Sequence, residues 1–66
     1  MNLVKAFLTS IGCPDFGTQQ VDVEGTPGGQ IHCSRLGPIP NGRYLLKLIT
    51  GEEFYVSIRG QRWESA

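Results

Sequence analysis

Two consecutive stretches in the second half of the chain alternate regularly between apolar and polar residues, on either side of Gly51. This period of two is typical of β-strands that bury one face. The chain from Arg43 to Arg59 is therefore predicted to form a β-hairpin. Its buried face would carry the apolar positions of both stretches, which are Tyr44, Leu46, Leu48, Phe54, Val56 and Ile58.

The register of this hairpin follows from the requirement that both strands share one apolar face. A two-residue loop at Gly51 would pair even-numbered with odd-numbered positions and mix the faces, whereas a loop with an odd number of residues keeps them separate. We therefore expect a three-residue loop, Thr50-Gly51-Glu52, with Gly51 at a positive φ. The expected cross-strand pairs are Leu48 with Phe54, Leu46 with Val56, and Tyr44 with Ile58.

The N-terminal stretch has two interpretations. Residues 2–11 are predicted to form a short helix, because Leu3, Phe7 and Ile11 fall on one helical stripe. Asn2 would cap the start of this helix. The alternative is a strand from Leu3 to Thr9, with Leu3, Lys5, Phe7 and Thr9 on one face and Val4, Ala6 and Leu8 on the other.

The rest of the chain indicates two more strands. Thr18 to Glu24 alternates around Val21 and Val23, and Gln30 to Leu36 resumes the alternation after a break rich in glycine. The chain is thus predicted to be a single domain over residues 1–66. Its expected class is α+β, with a short N-terminal helix packed on a four-stranded antiparallel sheet. If the N-terminal stretch is extended, the alternative is an all-β, five-stranded small barrel of the SH3-like kind.

The composition limits which partners we expect. The 66 residues include six basic and six acidic ones, so the formal net charge is zero, and no overall field attracts nucleic acid or an anionic membrane. No stretch approaches the roughly 20 apolar residues of a transmembrane helix, which favours a soluble, cytoplasmic protein. In that compartment we expect Cys13 and Cys33 to be free thiols.

Residues that usually carry catalysis or bind metal are few and badly spaced. The soft metal ligands are Cys13, His32 and Cys33, and adjacent residues of a strand point to opposite faces. The single histidine offers no convincing partner for a nucleophile, and the glycine-rich loops lack the lysine and the helix of a phosphate-binding loop. We therefore expect no enzyme activity, no cofactor and no metal.

The polar face of the predicted hairpin is the best candidate for function. In the expected register Arg43 lies opposite Arg59, and Lys47 lies opposite Tyr55, which gives a mixed basic and aromatic surface. Tyrosine and arginine are enriched at the energetic centres of protein interfaces. The candidate partner-binding residues are Arg43, Lys47, Tyr55, Arg59, Arg62 and Trp63.

This surface leads to the hypothesis of a small non-enzymatic protein that binds and modulates an acidic protein partner, as an inhibitor, adaptor or assembly factor. By analogy with the many small proteins that phages encode, a phage-encoded inhibitor is one form of the hypothesis. The alternative is nucleic-acid binding by the same face, with Tyr55 or Trp63 stacking on bases. A homodimer is a further option, since a second copy would cover Leu45 and Ile49.

Overall fold

The computed structural model describes residues 3–65, which form six antiparallel strands in a nearly closed barrel. A 3-10 turn, Pro14–Phe16, connects the first strand to the second. The strands are β1 (Leu3–Ser10), β2 (Thr18–Glu24), β3 (Ile31–His32), β4 (Gly42–Leu48), β5 (Glu53–Arg59) and β6 (Arg62–Ser65). Their spatial order is β3-β2-β1-β4-β5-β6, so two three-stranded meanders meet where β1 pairs with β4.

The barrel closes between the β3 and β6 regions. The Ile31 amide donates a hydrogen bond to the Gln61 carbonyl at 3.0 Å, and the Trp63 amide donates one to the Gly29 carbonyl at 3.1 Å. The indole Nε1 of Trp63 adds a bond of 2.8 Å to the Glu24 carbonyl. These contacts pair backbone groups that an open sheet would expose along its edges.

The predicted N-terminal helix is wrong, because this stretch forms the central strand β1. The three residues of the predicted stripe are four positions apart, a spacing that falls on one stripe of a helix and also on one face of a strand. All three are exposed: Leu3 at 55%, Phe7 at 45% and Ile11 at 49%. Ala6 and Leu8 are buried instead, and the strand alternative placed them together on the opposite face.

The predicted α+β class is therefore also wrong, and the fold agrees with the alternative, an all-β small barrel. The barrel has six strands instead of five, because the chain reverses at Gly60 and Gln61. Their φ angles of 58° and 63° are those of a tight two-residue hairpin turn, so β6 folds back onto β5. Asn2, the predicted helix cap, lies outside the described residues. Within residues 3–65, the structure has no helix of the length and apolar character needed to cross a membrane.

The core fills the interior of the barrel and includes most of the predicted inward face of the hairpin. Leu48 is only partly buried, and Phe54 is 42% exposed, contrary to the prediction. Phe54 lacks cover because β6 pairs with β5 only from Val56 to Arg59. The core consists of Ala6, Leu8, Val21, Val23, Ile31, Cys33, Ile39, Tyr44, Leu46, Val56, Ile58 and Trp63.

The central hairpin has the predicted faces in a register shifted by two residues. Leu46 lies opposite Phe54, where we expected Val56. The loop has three residues, as predicted, but it begins one residue earlier, at Ile49-Thr50-Gly51, and a hydrogen bond of 2.8 Å joins residues 48 and 52 across it. Gly51 has the expected positive φ, 102°. A shift of two leaves each side chain on its predicted face.

Candidate binding surface

An exposed apolar patch lies on the outer face of three adjacent strands, β1, β4 and β5, and continues into the β4–β5 loop at Ile49. Ile49 is 68% exposed, Tyr55 64% and Phe7 45%, while Leu45 between them is half-buried. These positions alternate with core positions, so their side chains point away from the barrel interior. We call Phe7, Leu45, Ile49 and Tyr55 the apolar patch.

The strand register makes the apolar patch contiguous. Leu45 on β4 lies directly opposite Tyr55 on β5. Phe7 on β1 lies diagonal to Leu45 and within reach of it. Ile49 is held beside β1 by a 3.2 Å hydrogen bond from its amide to the Lys5 carbonyl. Consistent with this arrangement, three of the four patch residues line one shallow depression.

Lys47 stands on the same outer face, with neighbours different from those predicted. It lies opposite Glu53 on β5 and opposite Phe7 on β1, where we expected Tyr55. A cross-strand pair of opposite charges is favourable. Glu53 therefore places a negative charge across from Lys47, which lies between Leu45 and Ile49 within the apolar patch.

The arginines of the predicted surface gather towards the turn between β5 and β6. Because the register is shifted by two residues, Arg43 lies opposite Ser57, where we expected Arg59. Arg59 instead lies opposite Arg62, a like-charge pair that is unfavourable in isolation. The Nη1 atom of Arg62 donates a 2.9 Å hydrogen bond to the Gly28 carbonyl, which attaches this side chain to the β2–β3 loop.

Arg43 and Arg59 do share one surface groove next to the apolar patch. Asn41 and Ser57 line the same groove, and Glu64 lies on its β6 side. All of these residues except Glu64 have a side chain that can donate hydrogen bonds. We call Asn41, Arg43, Ser57 and Arg59 the donor groove.

Trp63, the remaining candidate, belongs to the core and not to the surface. It is 8% exposed, and its indole is bonded to the Glu24 carbonyl. Its ring cannot meet a partner unless the barrel opens between the β3 and β6 regions. Trp63 alternates with the charged residues Arg62 and Glu64, but the groups that cover it come from the distant β2–β3 region.

Tyr44 lies beneath the outer face and has a structural role. It is 3% exposed, its hydroxyl donates a 2.6 Å hydrogen bond to the Pro40 carbonyl, and its ring meets the edge of Phe16 at a centroid distance of 5.2 Å. Burial, and in second place the charge of Cys13, raises the pKa of Tyr44 above its usual value. Tyr44 therefore stays protonated, and able to donate, at neutral pH.

The two cysteines and the histidine are the remaining residues that could carry out chemistry or bind a metal. Cys13 is exposed and Cys33 is buried, both as free thiols. The exposed His32 forms a 3.1 Å hydrogen bond through Nε2 with the side chain of Gln30. In the described part of the chain, no three His, Cys, Asp or Glu residues are grouped so that they could hold a metal ion.

Phe7 is the member of the apolar patch that the sequence prediction missed. The helical interpretation placed it on the stripe that faces the core. The informative signal was the strand alternative, in which polar Lys5 and Thr9 share a face with Phe7. An aromatic residue whose same-face neighbours, two positions away in either direction, are polar is predicted to point outward.

No protein-family model, curated protein or solved structure matches this chain. The apolar patch and the donor groove are therefore the features from which a function can be inferred.

Proposed function

We propose that this chain is a small non-enzymatic protein that binds another protein through the apolar patch and thereby modulates it, as an inhibitor, adaptor or assembly factor. The observation that supports this proposal is the contiguity of Phe7, Leu45, Ile49 and Tyr55 on the outer face of the barrel. A contiguous exposed apolar surface with polar neighbours is characteristic of protein interaction sites.

Folding gives no reason for these outward side chains to be apolar. The barrel interior already has its own core, to which the patch residues do not belong. Strand positions on a solvated face usually carry polar residues. The large apolar side chains at these positions therefore point to a surface that a partner covers.

The composition of the patch and its surroundings suits a protein partner. Tyr55 and Phe7 are aromatic residues with few rotatable bonds, and they can bury much area at little cost in side-chain entropy. Arg43 lies next to Leu45 at the edge of the patch, like the polar rim that protein interfaces usually have. Lys47 lies among the apolar residues, opposite Phe7 and between Leu45 and Ile49.

The structure weakens the alternative hypothesis of nucleic-acid binding, which relied on Tyr55 or Trp63 to stack on bases. Trp63, one of the two aromatic residues expected to stack on bases, is buried. Glu53 and Glu64 stand among the cations of the outer face, and the net charge is zero. A phosphate backbone needs a run of uncompensated cations, so the same surface fits a protein better.

The test is affinity capture with the tagged full chain from a nuclease-treated lysate of the cells that produce it naturally. The double variant Leu45→Ala/Tyr55→Ala removes the centre of the patch. The matched control is Leu36→Ala, because Leu36 is also apolar and 42% exposed but lies in the β3–β4 connection. We expect a protein that the wild type and the control retain and that the double variant loses. Identical captured proteins for all three chains would contradict the proposal.

A further inference from the structure

The donor groove lies directly beside the apolar patch, on the same outer face. Arg43 is two residues before Leu45 on β4, so the two side chains point the same way and stand about 7 Å apart along the strand. Arg43 lies opposite Ser57, and Arg59 is the next outward residue of β5 after Ser57. One extended segment of a partner could therefore contact both features.

The orientation of Asn41 adds a further donor to this groove. Its Oδ1 atom accepts a 3.0 Å hydrogen bond from the Gly60 amide. The carboxamide oxygen is thus engaged by the protein, and the two N–H groups of Nδ2 remain to donate. Together with the guanidinium groups of Arg43 and Arg59 and the hydroxyl of Ser57, the groove presents four groups that can donate hydrogen bonds.

This set of donors matches the chemistry of a carboxylate. An ionised carboxylate is purely an acceptor, and its two oxygens fit the planar fork of a guanidinium in a bidentate pair. Hydrogen bonds of this charge-assisted kind are about twice as strong as neutral ones. A bound anion would also relieve the repulsion between Arg59 and its cross-strand neighbour Arg62.

The geometry points to a binding site for aspartate or glutamate side chains of the partner protein: an acidic segment seats a carboxylate in the donor groove while its apolar residues cover the apolar patch. This inference rests on the proposed function and adds the site at which the carboxylates of an acidic partner would bind. The electrostatic complement of Arg43 and Arg59 is acidic, which also sets the orientation in which the partner docks.

Acidic side chains fit this groove better than the phosphates of a nucleic acid. Glu64 lines the groove on its β6 side, and Glu53 lies opposite Lys47 on the far side of the patch. A polyanion that followed the whole face would meet both carboxylates. An isolated carboxylate on a partner needs only the space between Arg43 and Arg59.

The test is an NMR titration of the ¹⁵N-labelled full chain with a short end-capped peptide in which glutamates flank a central leucine–phenylalanine pair. The matched peptide has glutamine in place of each glutamate. A single-stranded oligothymidine and inorganic phosphate serve as the other anions. The variants are Arg43→Gln/Arg59→Gln and, as the control, Arg35→Gln, which removes an exposed arginine of the β3–β4 connection.

We expect the glutamate peptide to shift the signals of the donor groove, including the side-chain amide of Asn41, together with those of the apolar patch. Removing the charges of the peptide, or those of Arg43 and Arg59, should weaken binding about tenfold or more. The glutamine peptide should therefore bind the wild type weakly, and Arg43→Gln/Arg59→Gln should bind the glutamate peptide weakly. Arg35→Gln should bind like the wild type. Higher salt should weaken the wild-type interaction.

Four results would overturn the carboxylate site: equal binding of the two peptides, shifts confined to other surfaces, no binding of the glutamate peptide, or tighter binding of oligothymidine or phosphate by the same residues. Affinity capture separates this failure from that of the proposed function. If Arg43→Gln/Arg59→Gln still captures the partner that Leu45→Ala/Tyr55→Ala loses, the protein-binding function stands and the carboxylate site does not.

Discussion

The side-chain amide of Gln61 hydrogen-bonds to both backbone groups of Ile39. The Ile39 amide donates to Oε1 at 2.9 Å, and Nε2 donates to the Ile39 carbonyl at 2.8 Å. Gln61 itself occupies a turn position with a φ of 63°. This pair of bonds attaches the long β3–β4 connection to the β5–β6 turn and places the Ile39 side chain, 2% exposed, in the core.

Removal of this amide should therefore destabilise the barrel. Gln61→Ala leaves both backbone groups of Ile39 without their partner, and we expect the free energy of unfolding to fall by about 2 kcal/mol. Gln61→Ala is the sharper variant, because alanine keeps the strain of a side chain at this positive φ, whereas Gln61→Gly relieves that strain and should lose less stability. Urea denaturation measures both, and Gln20→Ala, an exposed position on β2, should change stability by less than about 0.5 kcal/mol. Wild-type stability of Gln61→Ala would show that the bonds to Ile39 contribute nothing.

Adjacent residues of β1 should respond very differently to truncation. Leu8 is fully buried, so Leu8→Ala should lower the free energy of unfolding by about 2–5 kcal/mol. Phe7→Ala removes a larger side chain, but from the outer face, and should cost less than about 1 kcal/mol. Denaturant titration of the two variants decides between strand and helix at this stretch. A loss for Phe7→Ala as large as that for Leu8→Ala would contradict the assignment of Phe7 to the surface.

The single tryptophan reports directly on closure of the barrel. Because Trp63 is 8% exposed and bonded to the Glu24 carbonyl, its fluorescence in the native protein should be shielded from iodide. Unfolding in urea should make it fully accessible to the quencher. Stern–Volmer titrations of the folded and unfolded chain measure the difference. Equal quenching constants in the two states would mean that Trp63 is a surface residue after all.

The buried phenol of Tyr44 predicts a loss of stability at alkaline pH. Its pKa is raised in the fold above the value of about 10 that holds in the unfolded chain, so the unfolded chain releases this proton first. The contribution of Tyr44 is then fully present below about pH 10, and it is lost as the pH rises through the folded pKa. Tyr44→Phe, which keeps the packing on Phe16, should therefore have a flatter stability profile above about pH 10.

Tyr55→Phe is the matched control for this pH effect, because Tyr55 is 64% exposed. Its stability should fall with pH as steeply as that of the wild type. Denaturant unfolding at a series of alkaline pH values provides the measurement. Parallel curves for the wild type and Tyr44→Phe would show that the phenol of Tyr44 does not take part.

Local patterns in the sequence were enough to predict the faces of the central hairpin and the strand Thr18–Glu24. Both alternate with a strict period of two, and the structure buries Val21, Val23, Tyr44 and Leu46 accordingly. The positive φ of Gly51 was predictable for the same local reason. The hairpin register was missed because two odd-length loops, starting at residue 49 or 50, give the same division of faces.

Features that depend on distant segments could not be predicted. A spacing of four among Leu3, Phe7 and Ile11 fits both a helix and a strand, and only pairing with β2 and β4 decides in favour of the strand. The burial of Trp63 depends on contacts with Glu24 and Gly29. As a consequence, Phe7 was missing from the predicted surface, and Trp63 was included in that surface although it is buried.

Site-specific photo-crosslinking shows whether the chain binds a protein through the apolar patch. In the cells that produce the chain naturally, Tyr55→p-benzoylphenylalanine should form an adduct with one protein, and Leu36→p-benzoylphenylalanine should not. Adding Phe7→Ala and Leu45→Ala to the Tyr55 variant should abolish the adduct while the chain stays folded. The absence of any protein adduct at position 55, or the same adducts at positions 55 and 36, would show that the apolar patch is not a binding site for a protein partner.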